Sequence, residues 1–214
     1  MDAERADGIV LRKQPVTESS LIVTWYTRES GKLRTIAKGA RRPKGPFPGK
    51  IDLFYHDEIL FLRSKRSDLH LLCDCFLENP RKKLRDSVEA LTAASYVGEV
   101  VDLATELEDP NPKLFDVLTA ALNALEIQRG RTATIIWFEL QLLAAAGWTP
   151  KWEPRTAITR VLDSLLATGL EGARRVRLSQ DQMAGARTVV WEFLDAQLNK
   201  TPRSRQLLME VLRH

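Results

Sequence analysis

The chain has 214 residues, with 32 Lys and Arg against 28 Asp and Glu, and a formal net charge of +4. Its 44% hydrophobic and 28% charged residues describe a globular chain rather than a disordered one, long enough for one or two domains with an ordinary core. Two cysteines, Cys73 and Cys75, exclude a disulfide framework and a four-cysteine zinc centre; no apolar run approaches the ~18 residues of a membrane span, and the charged start, Met1 to Asp7, is not a signal peptide, so a cytoplasmic location is expected.

Residues 8–79 read as strands. Ile9-Val10-Leu11 and the run 21–27 are rich in β-branched and aromatic residues. Ser30-Gly31 marks a turn. The run 32–38 then alternates, with Leu33, Thr35 and Ala37 on one face and Lys32, Arg34, Ile36 and Lys38 on the other. Gly39 to Gly49 holds three glycines and three prolines and is a loop. The runs 58–63 and 69–77 form a hairpin across the polar turn 64–68. Five strands with no helix long enough for a crossover predict a small antiparallel barrel, of which the OB-fold is the five-stranded form. Trp25 and Tyr26 are adjacent on a strand, so at most one can face a groove as a stacking platform, and barrel packing is the commoner fate of each. Cys73 and Cys75 fall on one strand face by alternation, and a packing role is expected of them.

Charge is distributed unevenly over these elements. Residues 28–50 carry Arg28, Lys32, Arg34, Lys38, Arg41, Arg42, Lys44 and Lys50 against Glu29 alone, a local net of +7. Such clustering marks a polyanion site better than the net charge does.

After Pro80 the period becomes 3.6. Leu84, Val88, Leu91, Ala94, Val97 and Val101 predict a helix over about residues 81–107, opened by Arg81, Lys82, Lys83 and Arg85. Cations oppose the macrodipole at a helix N-terminus, which makes Arg81, Lys82 and Lys83 candidates to extend the polyanion surface. Arg174, Arg175 and Arg177 have the same standing. Asn111-Pro112 opens a second helix. A third, from about 132 to 146, is apolar on nearly every side and must be buried or dock a partner; Gly147 and Pro150 stop it. A short helical pattern follows around Ile158 to Leu166, a capping box at Ser179 to Gln182 opens another helix, and Thr201-Pro202 opens a last one.

Convergent reactive groups are scarce. There is no Walker A loop, no G-x-G-x-x-G, no G-x-S-x-G, and only three histidines, His56, His70 and His214. The pattern favours a binding protein over an enzyme.

Taken together, the chain resembles the bacterial RecO family of recombination mediators. The resemblance rests on Gly8-Ile9-Val10-Leu11, Glu18-Ser19-Ser20-Leu21-Ile22-Val23, Gly31-Lys32-Leu33 and Ala37-Lys38-Gly39-Ala40-Arg41-Arg42-Pro43-Lys44 in family order, with Lys38-Gly39-Ala40-Arg41-Arg42 the most specific piece. Phe138-Glu139-Leu140 with Leu142-Leu143 and Gly147-Trp148 resembles the family's buried central helix, and Ser204-Arg205 with Leu207-Leu208 its final helix.

The resemblance implies an α+β chain: an OB-fold barrel at 1–79 that binds DNA, then a helical domain at 80–214. It implies a non-enzymatic protein that binds single- and double-stranded DNA and anneals complementary strands. With the partner RecR it would load RecA onto strands coated by single-strand-binding protein. Lys32, Arg34, Lys38, Arg41, Arg42, Lys44 and Lys50 would be the DNA-contacting residues, with Arg81, Lys82 and Lys83 as an extension. The family's dock for the acidic tail of single-strand-binding protein makes Arg129, Arg131 and Trp137 the candidates for that role. Many members carry a four-cysteine zinc insertion after the central helix. Here the region at about 149–178 is short and cysteine-free, so neither zinc nor any cofactor is expected. Two other classes share these features. An RNA-binding barrel protein would prefer RNA in competition, and a protein–protein adaptor would not anneal DNA.

Overall fold

A computed structural model of the chain describes residues 3–127, 132–152, 156–173 and 175–211. The fold is α+β. Five strands, β1 (Ala3–Pro15), β2 (Leu21–Thr27), β3 (Gly31–Ala37), β4 (His56–Leu62) and β5 (Leu69–Asn79), close a barrel in the order β1-β2-β3-β5-β4, the Greek-key arrangement of an OB-fold. Antiparallel pairing was expected throughout; the closing contact, Arg34–Ile36 of β3 against Leu69–Leu71 of β5, is parallel. Alternation explains the interior. Leu33 and Ala37 of β3, Ile59 and Phe61 of β4, and Val23 and Trp25 of β2 form one buried cluster with Ala6, Val10, Phe47, Leu72 and Cys75. The Trp25 indole N–H donates to Thr35 Oγ1 at 2.9 Å, which satisfies the one polar atom that this ring brings inside.

Two bulges on β5 break the alternation. Phe61 pairs with Leu72 but Leu60 with Asp74, so Cys73 is an extra residue. Its insertion reverses the phase of the strand, leaving Cys73 exposed and Cys75 buried. The expectation that both cysteines share a face is therefore corrected. Burial pushes the Cys75 thiol up to about 12, which suits packing rather than reactivity. Asp57 is also fully buried, and burial followed by the nearby Glu78 charge raises it to about 7.

The first helix differs from expectation. Lys82–Asp86 form a 3-10 turn, and α1 (Val88–Ala104) starts only after Ser87, whose Oγ accepts the Ala90 N–H at 3.3 Å. The basic residues thus precede the α-helix and do not oppose its dipole. The remaining helices are α2 (Pro112–Ile127), α3 (Thr132–Ala145), α4 (Ala157–Ala167), α5 (Leu170–Ala173), α6 (Gln180–Leu198) and α7 (Ser204–Val211). The Ser179 capping box is present in both directions, Gln182 N to Ser179 Oγ at 3.2 Å and Ser179 N to Gln182 Oε1 at 2.9 Å. A second box at Thr156 and Thr159 opens α4.

The chain divides into two compact units: Met1–Lys82 with Thr105–Phe115, and Lys83–Ala104 with Asp116–His214. In the first unit the strap 105–115 lies along the barrel wall. Leu107 bridges to Lys32, and the Glu108 N–H donates to Lys32 O at 2.9 Å. Glu108 also meets Arg63 and the buried His70, each at 2.8 Å. Gly31 makes the close approach possible. Its φ is +66°, and a Cβ there would stand 2.1 Å from Asp109 O. Gly31→Ala is expected to lower stability by more than about 2 kcal/mol, measured by urea unfolding, because strain and a backbone clash act together.

In the second unit, α3 is buried from Thr134 to Leu140 and again at Leu142 and Leu143, with Gln141 half-buried between them. At its centre the fully buried Glu139 accepts hydrogen bonds through Oε1 from the Tyr96 hydroxyl and from Trp191 Nε1, the latter at 2.7 Å. Arg205 stacks over the Trp191 ring at 4.8 Å and pairs with Asp195 at 2.6 Å.

Candidate nucleic-acid interface

The β1–β2 turn and the β3–β4 loop meet at the barrel's basic end. Their shapes follow from local chemistry. Thr17 Oγ1 accepts the N–H groups of Ser19 and Ser20, at 3.3 and 3.0 Å, and folds the turn back on itself. After β3, the N–H of Arg42 donates to Gly39 O at 3.0 Å and that of Gly45 to Arg42 O at 2.9 Å, so residues 39–45 form successive tight turns. Gly39 has a φ of +75°, and a Cβ on Gly45 would stand 2.2 Å from Gly39 O. Two bonds from Arg41 tie the loop to the turn, its N–H to Ser19 O at 3.0 Å and its Nη1 to Thr17 O at 2.8 Å.

Between loop and turn lies an open groove of about 520 Å³, lined by Lys38, Arg42 and Lys44 with Thr17, Ser19 and Ser20. All three basic side chains are exposed. Among the described residues none of the three makes an ion pair. Cations without a carboxylate partner beside hydroxyl groups suit a phosphate-bearing ligand. Sequence reading used Glu18-Ser19-Ser20 only as part of a family motif and gave the turn no contact role; its signal was a run of hydroxyl residues at a strand junction.

The other expected contacts divide by position. Lys32 and Arg34 lie on the outer face of β3 as alternation requires, but Arg34 is bonded to Asp68 at 2.8 Å. Lys50 is bonded to Asp74 at 2.9 Å, which raises the lysine and lowers the carboxyl. Arg41 acts first as the tie just described. Lys82 and Lys83 are exposed, whereas Arg81 is fully buried and its Nε donates to Phe54 O at 3.1 Å. Arg81 is therefore corrected from a surface contact to an internal strut.

Neither Trp25 nor Tyr26 is available for stacking on bases. Trp25 is inside, and Tyr26, on the outer face, is fully buried beneath Phe115 of the strap, with ring centroids 6.5 Å apart. Burial pushes its hydroxyl far above the usual tyrosine range. In the helical unit Trp137 is only 5% exposed, and its Nε1 donates to Thr168 O at 3.3 Å, so this side chain is packed rather than presented for docking. Arg129, Arg131 and Arg174 lie outside the described residues. Arg175 and Arg177 are exposed. No described helix is long and apolar enough to cross a membrane.

The comparisons agree with this architecture in both halves. The family profile described as Recombination protein O N terminal matches residues 1–81, and that described as Recombination protein O C terminal matches residues 85–158. A DNA repair protein RecO of Rhodopirellula baltica is 32% identical over 197 residues, covering 88% of this chain and 72% of the relative. Those of Syntrophus aciditrophicus (34% identical; 68% of this chain, 56% of the relative) and Salinibacter ruber (32%; 78% and 62%) are also similar. The chain thus spans less than two thirds of these last two relatives.

Proposed function

The chain belongs to the RecO family of DNA repair proteins, and on that premise we propose that it is a non-enzymatic DNA-binding protein that anneals complementary strands. The observation that supports this reading is the groove at Lys38, Arg42 and Lys44, where three cations converge and, among the described residues, none makes an ion pair. Such a surface holds phosphates by displacing condensed counterions, without reading bases. Annealing needs two like-charged backbones brought close together, and screening by cations lowers that barrier for any sequence. In this reading Lys32, Arg34, Arg41, Lys50 and Lys82 of the barrel unit add phosphate contacts, and Lys83 is a separate candidate contact of the helical unit. Arg34 and Lys50 exchange Asp68 and Asp74 for phosphate when DNA arrives.

In this reading the barrel end contacts single- and double-stranded DNA. The helical part serves protein partners: RecR, the acidic tail of single-strand-binding protein, and through them RecA loading. A strand-annealing assay tests it. The protein is expected to accelerate duplex formation from complementary strands, both bare and pre-coated with single-strand-binding protein, and raising salt should suppress the effect. Absence of acceleration on bare strands would leave an adaptor role in place of annealing.

A further inference from the structure

On the barrel wall, away from the basic groove, three side chains from three strands converge. Asp7 of β1, His56 of β4 and Glu78 of β5 each bring one ligand atom to within 4.8 Å of the other two. Register explains the convergence. His56 pairs with Asn79 but Asp57 with Leu77, so Glu78 is the extra residue of the second β5 bulge. The Phe115 ring meets the His56 ring edge-on, with centroids 5.8 Å apart, and fixes the direction in which the imidazole points.

A single proton on Nε2 satisfies this arrangement only in part, with one carboxylate in hydrogen-bond contact and the other at ion-pair distance. Both carboxylates address the same nitrogen. Asp7 Oδ1 is in contact with His56 Nε2, and Glu78 Oε2 stands 3.7 Å from it. An imidazole nitrogen carries one hydrogen, and Asp7 takes it. Glu78 is left beyond hydrogen-bond range, facing a second carboxylate. Among the described residues, neither carboxylate is paired with a lysine or arginine. A divalent ion at the common point would meet all three at once. It would accept the Nε2 lone pair of neutral His56 and balance the two carboxylate charges.

We propose that Asp7, His56 and Glu78 form a binding site for a divalent first-row transition ion, with Zn²⁺ as the best fit. One imidazole and two carboxylates are borderline ligands of the kind that Zn²⁺ accepts, and three protein ligands leave a fourth position for water. The site uses no cysteine. Its ion would cross-link β1, β4 and β5 beside the strap.

The test uses the 214-residue chain, stripped of metal and carrying Cys73→Ser to remove the exposed thiol. Titration with Co²⁺ is followed by visible absorption, and titration with Zn²⁺ by calorimetry. One ion per chain and the absorption bands of low-coordinate cobalt are expected. Glu78→Gln, at a half-exposed position that leaves the fold intact by circular dichroism, should weaken Zn²⁺ binding at least about tenfold, the lower end of what even outer-shell partners cost. His56→Asn should abolish the bands. The proposal is overturned if the Cys73→Ser chain shows neither bands nor heat, or if both persist unchanged in Glu78→Gln and His56→Asn.

Discussion

Replacing Lys38, Arg42 and Lys44 together with alanine is expected to lower affinity for single-stranded DNA on the order of 100-fold at 0.1 M monovalent salt. Each phosphate contact on a single strand contributes a slope of about 0.7 in log K against log salt, so at 0.1 M three contacts amount to about two decades. The same variant should lose about 2 from the salt slope, and the two losses must appear together. The three side chains are exposed and make no ion pair among the described residues, so unfolding curves should hardly move. Arg34→Ala and Lys50→Ala provide the contrast. Each of these cations already has a carboxylate, and its phosphate contact is offset by the pair that must open. Smaller losses are expected from them. Affinity that survives the triple substitution with an unchanged salt slope would remove the groove from the binding surface.

The second large effect is expected in the helical unit. Glu139→Ala should destabilise the protein by about 3 kcal/mol or more, measured by urea unfolding. It leaves the Tyr96 hydroxyl and the Trp191 indole N–H buried without their acceptor and opens a cavity in α3. The pH dependence is more specific. Burial raises Glu139 from 4.5 to about 7, against opposing hydrogen bonds from Tyr96 and Trp191 and the charges of Arg205 and Arg187. The folded state therefore holds a proton that the unfolded state releases. Stability from this group is fully present below 4.5 and is lost as pH rises through about 7. The total is on the order of 3 kcal/mol. Glu139→Gln cannot titrate and should flatten that part of the curve. A slope that survives Glu139→Gln would assign it to another group.

Much of this was legible in the sequence, and the failures have physical causes. Alternation in residues 32–38 placed Leu33, Thr35 and Ala37 inside and Lys32 and Arg34 outside, because a half-buried strand has a period of two. Glycine and proline marked the 39–49 loop for the same local reason. Cys73 and Cys75 were misread because a bulge adds a residue without leaving a trace in composition. Arg81 was read as exposed because arginine usually is. Its acceptor, Phe54 O, lies 27 residues upstream. Tyr26 is covered by an element 85 positions away, a separation that no local window spans. The charges of the candidate site were visible, but their pairing was not. Asp68 is 34 residues from Arg34, and Asp74 is 24 from Lys50, so only the fold reveals which cations are already neutralised.

The strap at 105–115 has a consequence for how the molecule is made. β5 ends at Asn79, yet the segment that pairs beside Lys32, covers Tyr26 and meets His70 arrives only after α1 has been synthesised. On the ribosome the nascent barrel must wait through that delay with part of β3 unpaired and an aromatic side chain uncovered, the kind of edge at which chains associate wrongly. A fragment cut at residue 79 would make that temporary state permanent. The barrel strands are one stretch of chain but the compact unit they form with the strap is not, and the packing of that unit cannot finish before residue 115 has emerged.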